Sequence, residues 1–316
     1  MDSHFIGNLK SPCDPQSAIR NQLSQTRAYL ELHIAVFLWG FTAILGDLIQ
    51  LSALALVWWR VLLTSISVLF LLRNGLKIKH LTRRSLLQFS FVGVLTGLHW
   101  LAFYGAIKLS NASIALVCMA TCAFFTSLIE PILLRKKLNW VEIFIGFLIV
   151  PGMALIVQSV EVKMHLGILV GLLSSFLAAL FSTLNKKWID NAEPLPITFI
   201  EMTSAWLFLS AVLPFFFHSE PNVVFLPSAK DFAMLLVLSL LCTTLTWVLA
   251  LRAMKQLSAF ASTLTVNLEP VYGIFLAWVI LGEQKELSNG FYWGVALILV
   301  VVLSYPFLKK LLTKST

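Results

Sequence analysis

An acidic residue and a proline lie side by side within one long apolar run of the sequence. The run extends roughly from Ala259 to Leu281, about the length that one helix needs to cross a bilayer, and Glu269 and Pro270 lie near its centre. A carboxylate at the bilayer centre costs about 2.5–3.5 kcal/mol on insertion scales, so a role is expected for it. We predict that Glu269 faces a cavity, where it either binds the ammonium group of a substrate or accepts a driving proton.

Polar side chains recur at helical spacing around this acid. They are Ser258, Ser262, Thr265, Glu269 and Tyr272. The steps of four, three, four and three place them on one face of a helix whose other faces are apolar apart from Asn267. A polar face inside a membrane must contact protein or water, so we expect it to line a cavity. The alternative is a helix–helix contact in which Glu269 is bonded to a neighbour.

Other apolar segments carry further candidates for a substrate-binding or proton-coupling site. They are Asn185, His99, Trp100, Trp247 and Trp39. An acid surrounded by aromatic rings would suit an amine, through charge and cation–π attraction. Close helix packing explains rows of small and hydroxyl residues equally well, and a lone histidine in a membrane is more often structural.

Two charged residues, Arg60 and Glu201, become equivalent when the sequence is shifted by 141 residues. In an inverted repeat such positions lie on opposite sides of the midplane. We therefore expect each to snorkel to the surface, or to act as a charged gate that binds an ion in its own vestibule.

The composition is that of an integral membrane protein. Of the 316 residues, 59% are hydrophobic and only 12% are charged, against about a quarter charged in soluble domains. The apolar segments predict an all-α protein with ten transmembrane helices. They centre near Trp39, Leu62, Leu95, Cys122, Leu148, Ser175, Leu207, Val237, Glu269 and Leu297. The four cysteines follow no disulfide or zinc spacing, and we predict neither a metal nor a cofactor.

The distribution of positive charge predicts the orientation. Eighteen of the 23 Lys and Arg residues lie on the side of the N-terminus, four lie on the opposite side, and Arg60 lies within a span. Cytoplasmic loops are enriched in these residues, so both termini should be cytoplasmic in a multi-pass protein of a bacterial inner (plasma) membrane. The net charge of +8 thus reflects topology rather than nucleic-acid binding. The expected partners are the bilayer and a small-molecule substrate, and either a monomer or a homodimer is compatible with the sequence.

The sequence contains a weak internal repeat. A shift of 148 residues aligns "LAFYGAIKLSNASIAL" at 101–116 with "LALRAMKQLSAFASTL" at 249–264. Five spans per half is an odd number, so the second half must enter the membrane in the opposite orientation. This arrangement predicts five-helix repeats at 28–160 and 161–310, cytoplasmic tails at 1–27 and 311–316, and a substrate site between the halves near the midplane.

On these features the sequence resembles the drug/metabolite transporter superfamily, EamA type. The motifs are "WGF" at 39–41, "LSAFAST" leading into the ninth span, and "LEPVYGIFLAWVILGE" at 268–283. The resemblance implies a secondary carrier of small organic solutes, often an exporter of amino acids or amines, with alternating access around a midplane cavity. The family usually has a proline in the fourth span where this sequence has Cys122, so a helix break there is left open.

A channel or scaffold protein and an intramembrane enzyme are the alternatives. The sequence contains no H-E-x-x-H, P-loop or G-x-S-x-G motif, and no convincing pair of catalytic groups at one depth. A channel would need a ring of polar positions from an oligomer, which two repeats do not require. We therefore expect a carrier and no enzymatic activity.

Overall fold

The computed structural model describes residues 15–72, 81–219, 223–257, 265–283 and 287–313. All regular elements within these ranges are helical. In the part of the chain that the structure describes, eight helices are long and apolar enough to cross a membrane, and two shorter apolar helices follow them. The prediction of an all-α membrane protein is therefore confirmed.

The ten apolar helices of the described residues follow the predicted spans. They are α1 (Pro15–Leu48), α2 (Ala53–Leu72), α3 (Arg83–Leu109), α4 (Ala112–Leu134), α5 (Trp140–Ser159), α6 (His165–Trp188), α7 (Pro194–Ser219), α8 (Ala229–Gln256), α9 (Glu269–Leu281) and α10 (Asn289–Thr313). Polar side chains cap several starts, as where Asn111 accepts the backbone N–H of Ile114 at 2.8 Å. Helix α1 begins at Pro15, so residues 15–27 of the segment that we assigned to a polar tail are helical.

Several spans depart from a regular α-helix near the middle of the protein. Helix α4 consists of two segments, Ala112–Met119 and Cys122–Leu134, so it is broken although proline is absent from position 122. Thr121 lies at this break and its hydroxyl donates to the Ser175 hydroxyl of α6 at 2.9 Å. Helix α8 contains a π-helical segment at Leu240–Leu245. Such segments are frequent at functional sites.

The contact between α5 and α10 shows how the two halves are related. A side chain at Gly152 would meet Ile298, and one at Gly294 would meet Ile156. Rising residue numbers on one helix thus meet falling numbers on the other, so the two helices are antiparallel. Because they are the fifth helix of each half, the second half is inverted relative to the first, as predicted.

Glycines bring α3 and α7 into close contact at the centre of the molecule. A methyl group at Gly93 would overlap the backbone carbonyl of Glu201, and one at Gly97 would lie 3.3 Å from the side chain of Ala205. Small residues allow such close approach of membrane helices. The backbone of Glu201 is therefore held directly against α3.

Candidate functional site

A cavity of about 190 Å³ lies between the two halves, and seven helices line it: α1, α2, α3, α4, α6, α8 and the segment that begins α9. Its wall includes the side chains of Arg60, Glu269, Asn267, Asn185 and His99. Five aromatic rings complete the wall, from Trp39, Trp100, Phe103, Phe181 and Trp247. The cavity therefore combines fixed charges with a largely apolar, aromatic surface, as small-molecule sites do.

Arg60 provides a fixed positive charge in this cavity. Its side chain is 2% exposed, and its guanidinium carbon lies 3.8 Å from the centre of the Trp100 ring. The Nε–H group donates to Thr243 Oγ1 and the Nη1 group donates to the Tyr104 hydroxyl, both at 2.8 Å. Within the described residues these bonds use two of the five guanidinium N–H groups. The others can bind an anionic group.

Glu269 provides the opposite charge. It is half-buried and begins α9, directly after a turn at residues 267–268, and Pro270 occupies the first turn of the helix, where its missing N–H is not needed. The charges of Glu269 and Arg60 act on each other. None of the ion pairs within the described residues joins them, and both side chains line the cavity.

Trp247 of α8 is the centre of the aromatic wall. Its ring stacks on Phe181 at 5.7 Å and meets Trp100 edge-on at 5.4 Å and Trp39 at 6.4 Å. Such pairs add about 0.5–1.5 kcal/mol beyond their buried area, so they stabilise this position of the Trp247 ring. The indole N–H of Trp39 in turn donates to Thr246 Oγ1 of α8 at 2.9 Å.

His99 connects α3 to α6. Its Nδ1 lies 2.9 Å from both the carbonyl and the hydroxyl oxygen of Ser174, while its ring lies beside Phe103 and Phe181 in the cavity wall. One ring nitrogen is thus used to join helices.

The structure brings most of the predicted residues together. Those that line the cavity are Glu269, Asn185, His99, Trp100, Trp247 and Trp39. Arg60 joins them, in the shared cavity rather than in a vestibule of its own. Glu201 lies behind the wall, where its carboxylate accepts the Trp247 indole N–H.

The polar face of α9 differs from expectation. The turn at residues 267–268 interrupts the helix, so helical spacing no longer relates Thr265 to Glu269 and Tyr272. Asn267 lines the cavity instead, whereas Thr265 and Tyr272 do not, and Tyr272 packs 5.6 Å from Phe37 of α1. Ser258 and Ser262 lie outside the described residues.

Sequence reasoning missed Tyr104, Phe181 and Asn267. A signal was available for Tyr104, because it lies four residues after Trp100 and hence on the same face of α3. Asn267 could not be assigned, because its exposure to the cavity depends on the turn.

Fold and cavity together define the class of protein. Two inverted five-helix repeats that enclose a cavity near the middle of the membrane are typical of secondary transporters. The model of the EamA-like transporter family matches residues 26–158 and again 165–305, once for each half. The chain therefore belongs to the EamA-like transporter family, and the resemblance to the drug/metabolite transporter superfamily is confirmed.

The fold is also similar to a solved structure described as "Crystal structure of protein". The two share 14% sequence identity with a TM-score of 0.65, over 92% of this chain and 98% of the other, and this likeness shows the fold alone. No curated protein matches this sequence. Family membership makes the protein a multi-pass membrane transporter and favours a role other than an enzyme.

Proposed function

We propose that the protein is a secondary active transporter of small organic solutes that carry an ammonium group, and that it works by alternating access. The observation that carries this proposal is the presence of Arg60 and Glu269 in the wall of one cavity. The Glu269 carboxylate would bind the ammonium group, with cation–π attraction from the neighbouring rings.

Both charges together favour an amino acid over a simple amine. A guanidinium binds a carboxylate through paired N–H donors, and Arg60, which lines the cavity, has N–H donors beyond those bonded to Thr243 and Tyr104. A simple amine would leave the buried Arg60 without an anion, which is costly. The aromatic wall suits a substrate with an apolar side chain.

The lining residues support a cavity that is open at one end. They include Glu130 and Leu134 at the end of α4, Lys186 at the end of α6 and Met254 near the end of α8. These ends adjoin the loops rich in Lys and Arg, which the charge distribution assigns to the cytoplasm of a bacterial cell. We therefore assign this conformation to the cytoplasm-open state of a plasma-membrane carrier.

Contacts at the opposite end of the helices would close the cavity on that side in this state. The Glu283 carboxylate, which follows α9, accepts the backbone N–H groups of Ala112 and Ser113 at the start of α4, both at 2.9 Å. The Lys108 ammonium at the end of α3 donates to the Ile49 carbonyl between α1 and α2 at 2.7 Å. Alternating access would require these contacts to break in the outward-open state.

Counterflow in proteoliposomes tests the proposal. Vesicles loaded with an unlabelled amino acid mixture should accumulate the labelled mixture with saturable kinetics, whereas polyamines should exchange weakly. Glu269→Gln keeps the shape of the side chain but removes its charge, and it should reduce exchange at least tenfold. Glu161→Gln, a change at an exposed residue paired with Lys163, is the matched control.

Three results would contradict the proposal. Unitary currents in place of saturable exchange would indicate a channel. Wild-type exchange in Glu269→Gln would show that this acid does not bind substrate. Exchange that survives while proton-driven accumulation is lost would make Glu269 the proton acceptor instead.

A further inference from the structure

A second buried carboxyl lies directly behind the cavity wall. Glu201 of α7 is completely buried, and its Oε2 atom accepts the indole N–H of Trp247 at 2.9 Å. Its Oε1 atom has no hydrogen-bond partner among the described residues. A buried carboxylate oxygen without a donor is costly, so this atom requires an explanation.

Asn185 of α6 offers that explanation. Its amide acts on the same carboxyl, and its Oδ1 atom is also buried without a partner among the described residues. Each of the two side chains thus has one buried acceptor atom without a donor among the described residues. A proton on Glu201 Oε1 would donate to Asn185 Oδ1 and satisfy both atoms at once. If the amide is turned instead, its NH₂ group donates to an ionised carboxylate, and the two arrangements differ by one charge.

The surroundings of Glu201 favour the neutral form. On the packed helices, the charged and titratable side chains of the central region are Arg60 of α2, His99 and Tyr104 of α3, Lys186 of α6 and Cys242 of α8. The charge of Arg60 interacts electrostatically with Glu269 and with the side chains of Tyr104, His99 and Cys242. Lys186 donates to the Met254 carbonyl at 3.0 Å. Within the described residues, the side chains that interact with the Glu201 carboxyl group through hydrogen bonds are the uncharged Trp247 and Asn185. An ionised carboxylate buried without a cation costs several kcal/mol.

One stretch of α8 connects this carboxyl to the cavity. Thr243, in the π-helical segment, binds Arg60, and Thr246 binds Trp39 of α1. Trp247 follows, with its ring in the cavity wall and its N–H on Glu201. A substrate that displaces the Trp247 ring would therefore remove a donor from Glu201 and open it to cavity water.

We infer that Glu201 is a proton-carrying group of the transport cycle, which holds a proton in this conformation and releases it when Trp247 and Asn185 move aside. The carboxyl O–H bond breaks, the proton leaves on a cavity water as hydronium, and the carboxylate remains. This inference rests on the proposed transport function. It assigns the proton to Glu201 and the substrate ammonium to Glu269.

Infrared spectroscopy of the purified protein in lipid vesicles tests the protonation without a substrate. Wild-type protein, Glu201→Gln, Glu269→Gln and the exposed control Glu161→Gln are compared at neutral pH. We expect the carbonyl-stretching band of a protonated, buried carboxylic acid in wild type, Glu269→Gln and Glu161→Gln, and its loss in Glu201→Gln. A Glu201→Gln spectrum identical to that of wild type in this band would overturn the inference.

Transport in proteoliposomes with the labelled amino acid mixture provides the second test. Glu201→Gln can still accept the Trp247 N–H, so it should retain counterflow within about twofold and lose accumulation driven by a pH gradient. Accumulation at the wild-type level, or loss of exchange together with accumulation, would overturn the proton role. If wild-type protein shows no exchange, the proposed substrate class fails, and the infrared band still decides where the proton resides.

Discussion

At the scale of residues, the site depends on how Arg60 is held. A flat guanidinium lies on the Trp100 ring and bonds to two hydroxyl groups on different helices, which fixes the plane it presents to a ligand. Lysine has the same charge but neither the planar fork nor the stacking surface, so the two residues are not equivalent here.

Arg60→Lys should therefore weaken substrate binding while leaving the fold intact. Loss of one hydrogen bond between charged groups costs about 1.5–3 kcal/mol, so we expect the KM for counterflow to rise roughly tenfold or more. Tyr104→Phe removes a single partner of Arg60 and should have a smaller effect in the same assay. An unchanged KM in Arg60→Lys would show that the guanidinium does not contact the substrate.

At the scale of elements, the seal between α4 and α9 depends on a single carboxylate. Glu283 is 6% exposed and accepts both first backbone N–H groups of α4, which the helix itself cannot satisfy. Burial raises the pKa of Glu283, against the lowering effect of the hydrogen bonds from Ser113 and Ala112. A negative group is also favoured at the N-terminal end of a helix.

Glu283→Ala leaves two buried N–H groups without an acceptor, at about 1–3 kcal/mol each, so the melting temperature in detergent should fall clearly. The melting temperature of Glu283→Gln, which keeps one acceptor, should fall less.

Because a raised pKa means that the folded protein holds the proton more tightly than the unfolded chain, wild type should lose stability relative to Glu283→Gln as the pH rises above 4.5. A constant difference across this range would show that Glu283 does not titrate in the seal.

At the scale of the whole molecule, the two halves meet in opposite orientations around one cavity. Antiparallel contact between α5 and α10 fixes this relation. The open end of the cavity then faces the side on which most Lys and Arg residues lie, so its direction can be tested by topology.

Cysteines introduced into a cysteine-free background at Lys136 and Lys163 should behave oppositely. In intact cells an impermeant maleimide should label position 163, in the loop after α5, and should fail to label position 136, in the loop after α4. Labelling at both positions after permeabilisation is the control. Labelling at 136 from outside would reverse the proposed orientation.

The sequence by itself determined the fold class, the ten spans and the inverted halves, and it predicted that Glu269 faces a cavity. These follow from local properties, because the length of an apolar run and the cost of a charge within it do not depend on distant residues. The motif in the ninth span also identified the family.

Only the tertiary structure placed Arg60 in the cavity and Glu201 behind Trp247. Arg60 and Thr243 are 183 positions apart, and Trp247 and Glu201 are 46 apart. Their contacts depend on how each helix is rotated and how closely its neighbours approach, as glycine permits at Gly93. The breaks in α4 and before α9 rotate the following segments, so a helical period counted along the sequence no longer identifies the side chains that meet there.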